Sequence, residues 1–348
     1  MPDEFKKYEL NSEIISFGNA QSFLSERKIR NIRFDDIGSL ERILEKYKFK
    51  VLIAGTQQNP DSQILNLINI CKANNILTIG VIDMMADSHL RFNGNSNQPL
   101  YYAPEYLIVP DHWTLEAFSN LGFEKSNIFE LIHPSLKRIK NRALYFSREK
   151  IENKRISLLG NQAKDREIWL FAGEPNDDDV RLMRNEKYTI SGRGKSKKRI
   201  HIIFEELLEI RNKREIKPFL ILRMHPKNKS TDYSDYYNEI DLVSDAVDPL
   251  EEILCSDLII GSSTIFLMEA FYAGRPTLSI IPKPGEEDWC PSVLHGYTPC
   301  AYTRDQIESE LDKYRNKNLN RMKIPKIKNY NNIGNIVENL LIKKYQTV

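Results

Sequence analysis

The sequence predicts an α/β protein built from two doubly wound halves, each a parallel sheet with helices on both faces. Two observations carry that expectation. Short apolar runs alternate with amphipathic segments through both halves, the rhythm of parallel strands joined by crossover helices. A long charged stretch at 135–165 separates the two series. The 348 residues are enough for two ordinary domains.

In the first half, SEIISFG (12–18) and IRNIRFDD (29–36) read as short strands, followed by a helix in SLERILEKYKF and a strand in KVLIAGT (50–56). Residues 61–74 form an amphipathic helix, and ILTIGVID (76–83) and YLIVPD (106–111) are strands. A helix at 113–121 and the strand NIFELI (127–132) complete the half. His133-Pro134 then leads into the charged stretch, read as helix and linker. The second series runs from the strand EIWLFAGE (167–174) through a helix at 198–213 to the strand FLILRM and a strand near DLVS. The DPLEEILCS helix, the strand DLIIGSS, a helix carrying Glu269 and the strand PTLSIIP (276–282) follow. The expected domains are 1–150 and 151–330, with a C-terminal helix over 331–348. No repeat of solenoid length is present.

Composition narrows the function classes. With 41% hydrophobic and 28% charged residues the chain reads as soluble and globular, and a net charge of +2 implies no nucleic-acid partner. Cys71, Cys255, Cys290 and Cys300 show no zinc spacing and read as reduced thiols of a cytoplasmic protein. The start, MPDEFKKYELNSE, has no signal-peptide core, and no run approaches the ~18 apolar residues of a membrane span. Basic clusters at 138–155 and 312–328 read as solvated helix faces, with peripheral contact to the inner face of a membrane as the alternative.

Residues 257–276, DLIIGSSTIFLMEAFYAGRP, are the most informative stretch. An apolar strand ends at Gly261, three hydroxyls follow (Ser262, Ser263, Thr264), and a helix carries Glu269 one to two turns on. Small hydroxyl residues at a helix start cap free N–H groups, and such a start attracts phosphate. A carboxylate at Glu269 is placed to accept hydrogen bonds from a ribose diol. The alternative is an ordinary capped helix. Upstream, FLILRMHPKNKS ends a second strand in Arg223-Met224-His225-Pro226-Lys227, where proline fixes the backbone just after the imidazole and cations surround it. Open α/β sheets bind ligands beyond the carboxyl ends of their strands. Gly173 and Glu174 follow the first strand of the second half at the same edge.

His225-Pro226 and Ser262-Ser263-Thr264, in that order and spacing, resemble the HP and SS(T) motifs of bacterial sialyltransferases and polysialyltransferases. Related motifs occur in CDP-glycerol glycerophosphotransferases and capsule Kdo transferases. The 257–276 block is similar to the nucleotide-binding half of GT-B glycosyltransferases, and the resemblance covers a minor part of the chain, within its second half. It implies two Rossmann-like domains facing a cleft, the first for acceptor and the second for donor. By that resemblance His225 contacts the donor's phosphate, Ser262, Ser263 and Thr264 bind it, and Glu269 takes the ribose. Arg223, Lys227, Gly261, Gly173 and Glu174 complete the expected donor site.

The first half is expected to supply a catalytic base. Asp83 and Asp111 follow strands, the first within DMMADSHLR and the second in Asp111-His112-Trp113-Thr114, which also reads as a helix start with Asp111 as its cap. The acidic tripeptide with glycine that serves as base in the resembling sialyltransferases is missing from this half. SGRGKSKKR (191–199) is not a Walker A loop, because residue 189 is threonine; it reads as a loop closing over a diphosphate or as a solvated charge run. Asp177-Asp178-Asp179 reads as a helix start rather than a metal site, and no metal or cofactor is expected. Trp289 and Tyr297 either line the cleft or pack.

The expected function is glycosyl transfer from a nucleotide-sugar donor, CMP- or CDP-linked in preference to UDP-linked, to a hydroxyl of a glycan or lipid-linked acceptor in bacterial surface-glycan synthesis. Two alternatives stay open. One is a non-hydrolysing sugar-nucleotide 2-epimerase of the same fold, acting on a UDP-sugar without an acceptor. The other is a non-catalytic nucleotide-binding module.

Overall fold

The computed structural model describes residues 5–34, 37–56, 59–83, 87–175, 188–194, 196–244, 248–315 and 332–345. The chain divides into two compact units, residues 1–134 with 327–348 and residues 135–326. The division falls upstream of the boundary expected near residue 150. The reason is amphipathicity in the charged stretch: Ile139, Ala143, Ile151 and Leu159 bury in one core cluster with Ile168 and Leu170.

In the first unit, β1 (Ile15–Ser16) and β2 (Ile32–Arg33) pair in parallel around α1 (Asn19–Glu26). After α2 (Ile37–Tyr47) comes a parallel sheet in the order β3 (Val51–Gly55), β4 (Leu77–Val81), β5 (Tyr106–Val109), β6 (Ile128–Glu130). The period of two divides β5: Leu107 and Val109 pack with Ile64, Leu65 and Ile68 of α3 (Gln63–Ala73) and Phe118 of α4 (His112–Asn120). Ile108 faces the other way, with Leu77 and Ile79, onto Ile333, Ile336, Val337 and Leu340 of the C-terminal helix Ile333–Tyr345.

The second unit begins with α5 (Pro134–Ala143), whose first residue closes the first unit, and α6 (Arg148–Leu159). β7 (Ile168–Ala172), α7 (Arg199–Asn212), β8 (Phe219–Arg223), β9 (Leu242–Ser244), α8 (Leu250–Cys255) and β10 (Leu258–Gly261) follow. The unit continues with α9 (Phe266–Tyr272), β11 (Thr277–Ile280), α10 (Pro291–Leu294), β12 (Cys300–Ala301) and α11 (Arg304–Arg315). The strands form one parallel sheet in the order β12-β11-β10-β7-β8-β9. The chain therefore lays down β7, β8 and β9 in one direction, then crosses back to add β10, β11 and β12 on the other side. That reversal is a topological switch point at β7 and β10, where such sheets form a binding crevice.

β7 is buried on both faces. Ile168, Leu170 and Ala172 join the cluster with α8 and α9, while Trp169 and Phe171 join Phe204 and Leu207 of α7. This is why IWLFA reads as a continuous apolar run and not an alternating one. Asp257 fastens the start of the sheet, accepting the Ile168 N–H at 2.9 Å and pairing with Arg155 of α6.

Leu170→Ala, at a fully buried position of the central strand, is expected to cost about 2–5 kcal/mol through lost burial and a residual cavity. Val243→Ala on β9, where the side chain is 40% exposed, should cost less than about 1 kcal/mol. Urea unfolding followed by circular dichroism checks both.

Candidate functional site

β8, β7 and β10 are neighbours and parallel, so their carboxyl ends share one sheet edge. β7 delivers Gly173-Glu174, β8 delivers Met224-His225-Pro226 and β10 delivers Ser262-Ser263-Thr264. The Gly173 N–H donates to the Arg223 carbonyl at 2.8 Å, extending the β7–β8 ladder past its strands. A Cβ on Gly173 would lie 2.9 Å from that carbonyl oxygen, so glycine is required by the close approach. From there one set of hydrogen bonds crosses the edge. Asn228 Oδ1 accepts the His225 N–H at 2.9 Å and its Nδ2 donates to the Glu174 carbonyl at 3.0 Å. Glu174 Oε1 accepts the Ser262 N–H at 3.2 Å. The imidazole loop and the hydroxyl turn, expected from separate strands, are thus joined through Glu174.

His225 is half-buried, and its Nδ1 accepts the Lys227 N–H at 3.1 Å. A neutral ring that accepts at Nδ1 carries its proton on Nε2 and presents a donor there. Burial, and then the charges of Lys227 and Arg223, lower the His225 pKa, which favours that neutral form. Arg223, expected among the donor-site cations, is engaged by its neighbours. Its Nη1 donates to Glu252 at 2.7 Å, Glu252 also takes the Ser244 hydroxyl, and the guanidinium lies over the Phe266 ring. The Lys227 side chain stays exposed.

α9 starts at Phe266, and Ser262, Ser263 and Thr264 form the turn between β10 and that helix. Glu174 reaches over from β7 and takes the Ser262 N–H. Ser262 is fully buried and its carbonyl accepts the Ser279 hydroxyl at 2.7 Å, yet its own Oγ has no hydrogen-bond partner among the described residues. The Thr264 hydroxyl, one residue before the cap position at Ile265, accepts the Phe266 N–H at 3.2 Å. Gly261 leaves room for that threonine, whose Cγ2 would sit 2.9 Å from a Cβ there.

Arg199 is the functional candidate that the sequence hid. It stands at the end of the basic run 191–199, but it opens α7 and is only 2% exposed. Its Nε donates to Glu286 at 2.8 Å, Nη1 lies 3.5 Å from Glu174 and Nη2 lies 3.5 Å from the Ser263 hydroxyl. The available signal was its position at the first turn of an apolar helix. The start of that run, Ser191–Arg193, binds the protein's own carboxylates. Glu206 takes the N–H groups of Ser191 and Gly192, Glu205 takes that of Arg193, and the Arg193 guanidinium pairs with Glu209 and Glu239.

Glu269 is half-buried on α9, its backbone is held in the helix, and its carboxylate shows no hydrogen bond among the described residues. Burial raises its pKa, opposed by the charges of Arg223 and Arg138. Tyr297 packs, stacked on Phe271 at 4.2 Å and on His295 at 5.1 Å between ring centroids. Asn176 and Asp177-Asp178-Asp179 lie outside the described residues. No three metal-ligating side chains cluster among those that are described.

In the first unit, Asp83 beyond β4 pairs with the buried Arg91 at 2.9 Å. Asp111 beyond β5 accepts the Thr114 N–H at 2.8 Å and caps α4, the alternative role the sequence offered it. His133, beyond β6, lies within reach of the Asp83 charge, while the exposed His112 faces Glu116 at 3.8 Å. Burial lowers the His133 pKa against the opposing charge of Asp83. The sequence showed His133-Pro134, but nothing in it marked that histidine as lying near β4.

No family model matches the chain. No curated protein matches it either. Solved structures do resemble it. The UDP-GlcNAc 2-epimerase of Neisseria meningitidis bound to UDP-GlcNAc has a TM-score of 0.62 at 13% identity, covering 98% of this chain and 94% of the other. The Methanocaldococcus jannaschii UDP-GlcNAc 2-epimerase in complex with UDP-GlcNAc and UDP has a TM-score of 0.60 at 15% identity, covering 98% and 94%. The wall teichoic acid polymerase TagF has a TM-score of 0.50 at 18% identity, covering 99% and 85%. At such identities the likeness is one of fold. The fold is α/β with two Rossmann-like domains, the GT-B type of architecture. Particular closeness to sialyltransferases or CDP-glycerol transferases does not emerge. Among the described residues no helix is long and apolar enough to cross a membrane.

A carboxyl whose pKa folding raises loses stability as pH climbs above its unfolded value, since the native state resists ionisation. Glu269→Gln should therefore raise the melting temperature near neutral pH. The gain should shrink as pH falls through the carboxylate range, as thermal melts across that range would show.

Proposed function

We propose that the second unit holds the diphosphate of a UDP-sugar at the carboxyl ends of β7, β8 and β10, and that the protein is a non-hydrolysing sugar-nucleotide 2-epimerase. The observation that carries this reading is the hydrogen-bonded sequence His225–Asn228–Glu174–Ser262. It gathers an imidazole donor, a buried hydroxyl and the buried Arg199 at a topological switch point. UDP is favoured over the CMP or CDP expected from the motif pair because the epimerases of similar fold hold UDP-GlcNAc.

In this reading the bond between C1 and the diphosphate breaks as a proton leaves C2, and both are restored with C2 inverted. His225 Nε2–H, the Ser262 and Ser263 hydroxyls and Arg199 stabilise charge gathering on the departing diphosphate, which is commonly the largest catalytic contribution. Glu269 accepts from the ribose hydroxyls. Asp83 is the proposed proton acceptor, because of the two carboxylates expected in the first unit it is the one not engaged in a helix cap.

Glycosyl transfer to a glycan or lipid-linked hydroxyl is the second reading. The spacing of His225-Pro226 and Ser262-Ser263-Thr264 favours it, as does the fold shared with TagF. The first step, departure of the nucleotide from C1, is common to both.

Incubation with UDP-GlcNAc in deuterium oxide, without an acceptor, is expected to place deuterium at C2 and to yield the 2-epimer, both read by NMR. His225→Ala should slow this on the order of a hundredfold with the circular dichroism spectrum unchanged. UDP release that appears only with an added hydroxyl acceptor, without deuterium, would establish transfer in place of epimerisation. Failure of UDP, CMP and CDP alike to bind would remove both readings.

A further inference from the structure

We propose that Asn228 is the positioning residue of this site, its carboxamide fixing the His225 loop and the Glu174 loop relative to one another so that both serve one anion. The proposal rests on the nucleotide reading above and deepens it. Asn228 is half-buried, and three bonds engage its side chain: Oδ1 accepts from the His225 N–H at 2.9 Å, and Nδ2 donates to the Glu174 carbonyl at 3.0 Å and to Asp232 Oδ2 at 3.2 Å. Both partners of Nδ2 are acceptors and the partner of Oδ1 is a donor, so the orientation of the amide is determined by its surroundings.

The coupling runs through these bonds to both loops. On one side Oδ1 holds the backbone of His225, whose ring is oriented two residues on by the Lys227 N–H. On the other, Nδ2 holds the backbone of Glu174, whose carboxylate reaches the Ser262 N–H at 3.2 Å and Arg199 at 3.5 Å. Gly173 makes the span short enough, since even its missing Cβ would stand 3.4 Å from Asn228 Oδ1. Asp232 anchors the far side by accepting the Lys229 N–H at 2.9 Å. Asn228 need touch no ligand in this role. It sets the separation between the imidazole and the buried hydroxyl turn.

A carboxylate of the same shape tests this. Asn228→Asp keeps the acceptor for the His225 N–H, but above the pKa of its new acid it sets an oxygen against the Glu174 carbonyl and the Asp232 carboxylate. Two carboxyl groups in contact share a proton, which raises the pKa at which the pair takes it up. Once protonated, the acid's O–H donates where Nδ2 did. The charged or titratable groups around the position (Asp232, Glu174, His225, Lys227, Lys229 and Arg223, with Lys198 and His201 acting on Asp232) are kept, so the wild type measured at each pH carries their titration.

By titration calorimetry with UDP, Asn228→Asp should bind about tenfold more weakly than wild type in the alkaline range, the fold-change of one net hydrogen bond. The deficit should close on acidification. Asn228→Ala, with neither donor nor acceptor, should stay weak throughout. Circular dichroism and melting temperatures taken alongside refer each affinity to folded protein. Wild-type affinity in both variants despite lowered melting temperatures would assign Asn228 to the fold alone and overturn the proposal. A loss in Asn228→Asp that acid does not relieve, while its melting temperature recovers, would overturn it as well. A wild type that binds no UDP removes the nucleotide reading itself, and this inference with it.

Discussion

The bond from the Gly173 N–H to the Arg223 carbonyl is the constraint on which the site depends. β7 and β8 pair over their whole length, from Ile168 with Phe219 to Ala172 with Arg223, and this bond carries the pairing one step beyond the sheet. It brings the Glu174 backbone within reach of a side chain from the β8 loop. On the other flank β10 pairs with β7 in register, Ile260 beside Phe171, which sets Ser262 where the Glu174 carboxylate can meet it. A two-sided parallel neighbourhood is what a buried central strand provides. The apolar packing of Trp169, Leu170 and Phe171 is therefore the physical cause of the polar geometry above it.

Electrostatics around that edge are organised by internal carboxylates. Arg199 is buried with Glu286 and Glu174, and taking such charges out of water costs more than a simple pair returns unless geometry and further hydrogen bonds compensate. Glu174 supplies the compensation by also taking a backbone N–H. The same solution appears at the Ser191–Arg193 loop, where Glu205 and Glu206 occupy the N–H groups that a phosphate would use. The two loops differ in one respect. The hydroxyl turn keeps a buried Oγ on Ser262 without a partner among the described residues, and buried polar atoms are ordinarily satisfied. That unsatisfied Oγ is the difference on which the proposed anion site at the β10 turn rests.

The sequence made the scaffold legible wherever burial was one-dimensional. KVLIAGT, ILTIGVID, EIWLFAGE, FLILRM and DLIIGSS all became strands, because an apolar run of that length between polar turns has few other uses. The segment Ser230–Glu239 was not legible. It winds as a 3-10 helix that buries Tyr233 and Tyr236 three residues apart within a polar stretch. The site was legible by residue type and not by role. Ser262-Ser263-Thr264 carries the right hydroxyls for a helix cap, but Glu174, 88 residues earlier, takes the Ser262 N–H, and the cap position itself falls to Ile265, which has no side-chain bond to offer. Arg199 looked like the last charge of a basic run, and only Glu286, remote in sequence, makes it a buried group. Asp111 shows the converse: its capping role was visible in Asp111-His112-Trp113-Thr114, because a cap is a local contact.

The two enzymatic readings diverge at the proton, not at the phosphate. Any reaction that severs C1 from a nucleoside diphosphate places negative charge on the leaving oxygens, and in both proposed readings the donors at the β7, β8 and β10 ends are what would meet that charge. An imidazole kept neutral by burial suits such a role, since it donates from Nε2 without adding a full charge beside the Lys227 and Arg223 that already lower its pKa. What separates epimerisation from transfer is a group that takes a proton, from carbon in one case and from an acceptor hydroxyl in the other. In the first unit Asp111 is engaged in its cap, while Asp83 pairs with the buried Arg91 and its charge opposes the lowering of the half-buried His133 pKa. In the proposed epimerisation that leaves Asp83 as the carboxylate to take the C2 proton.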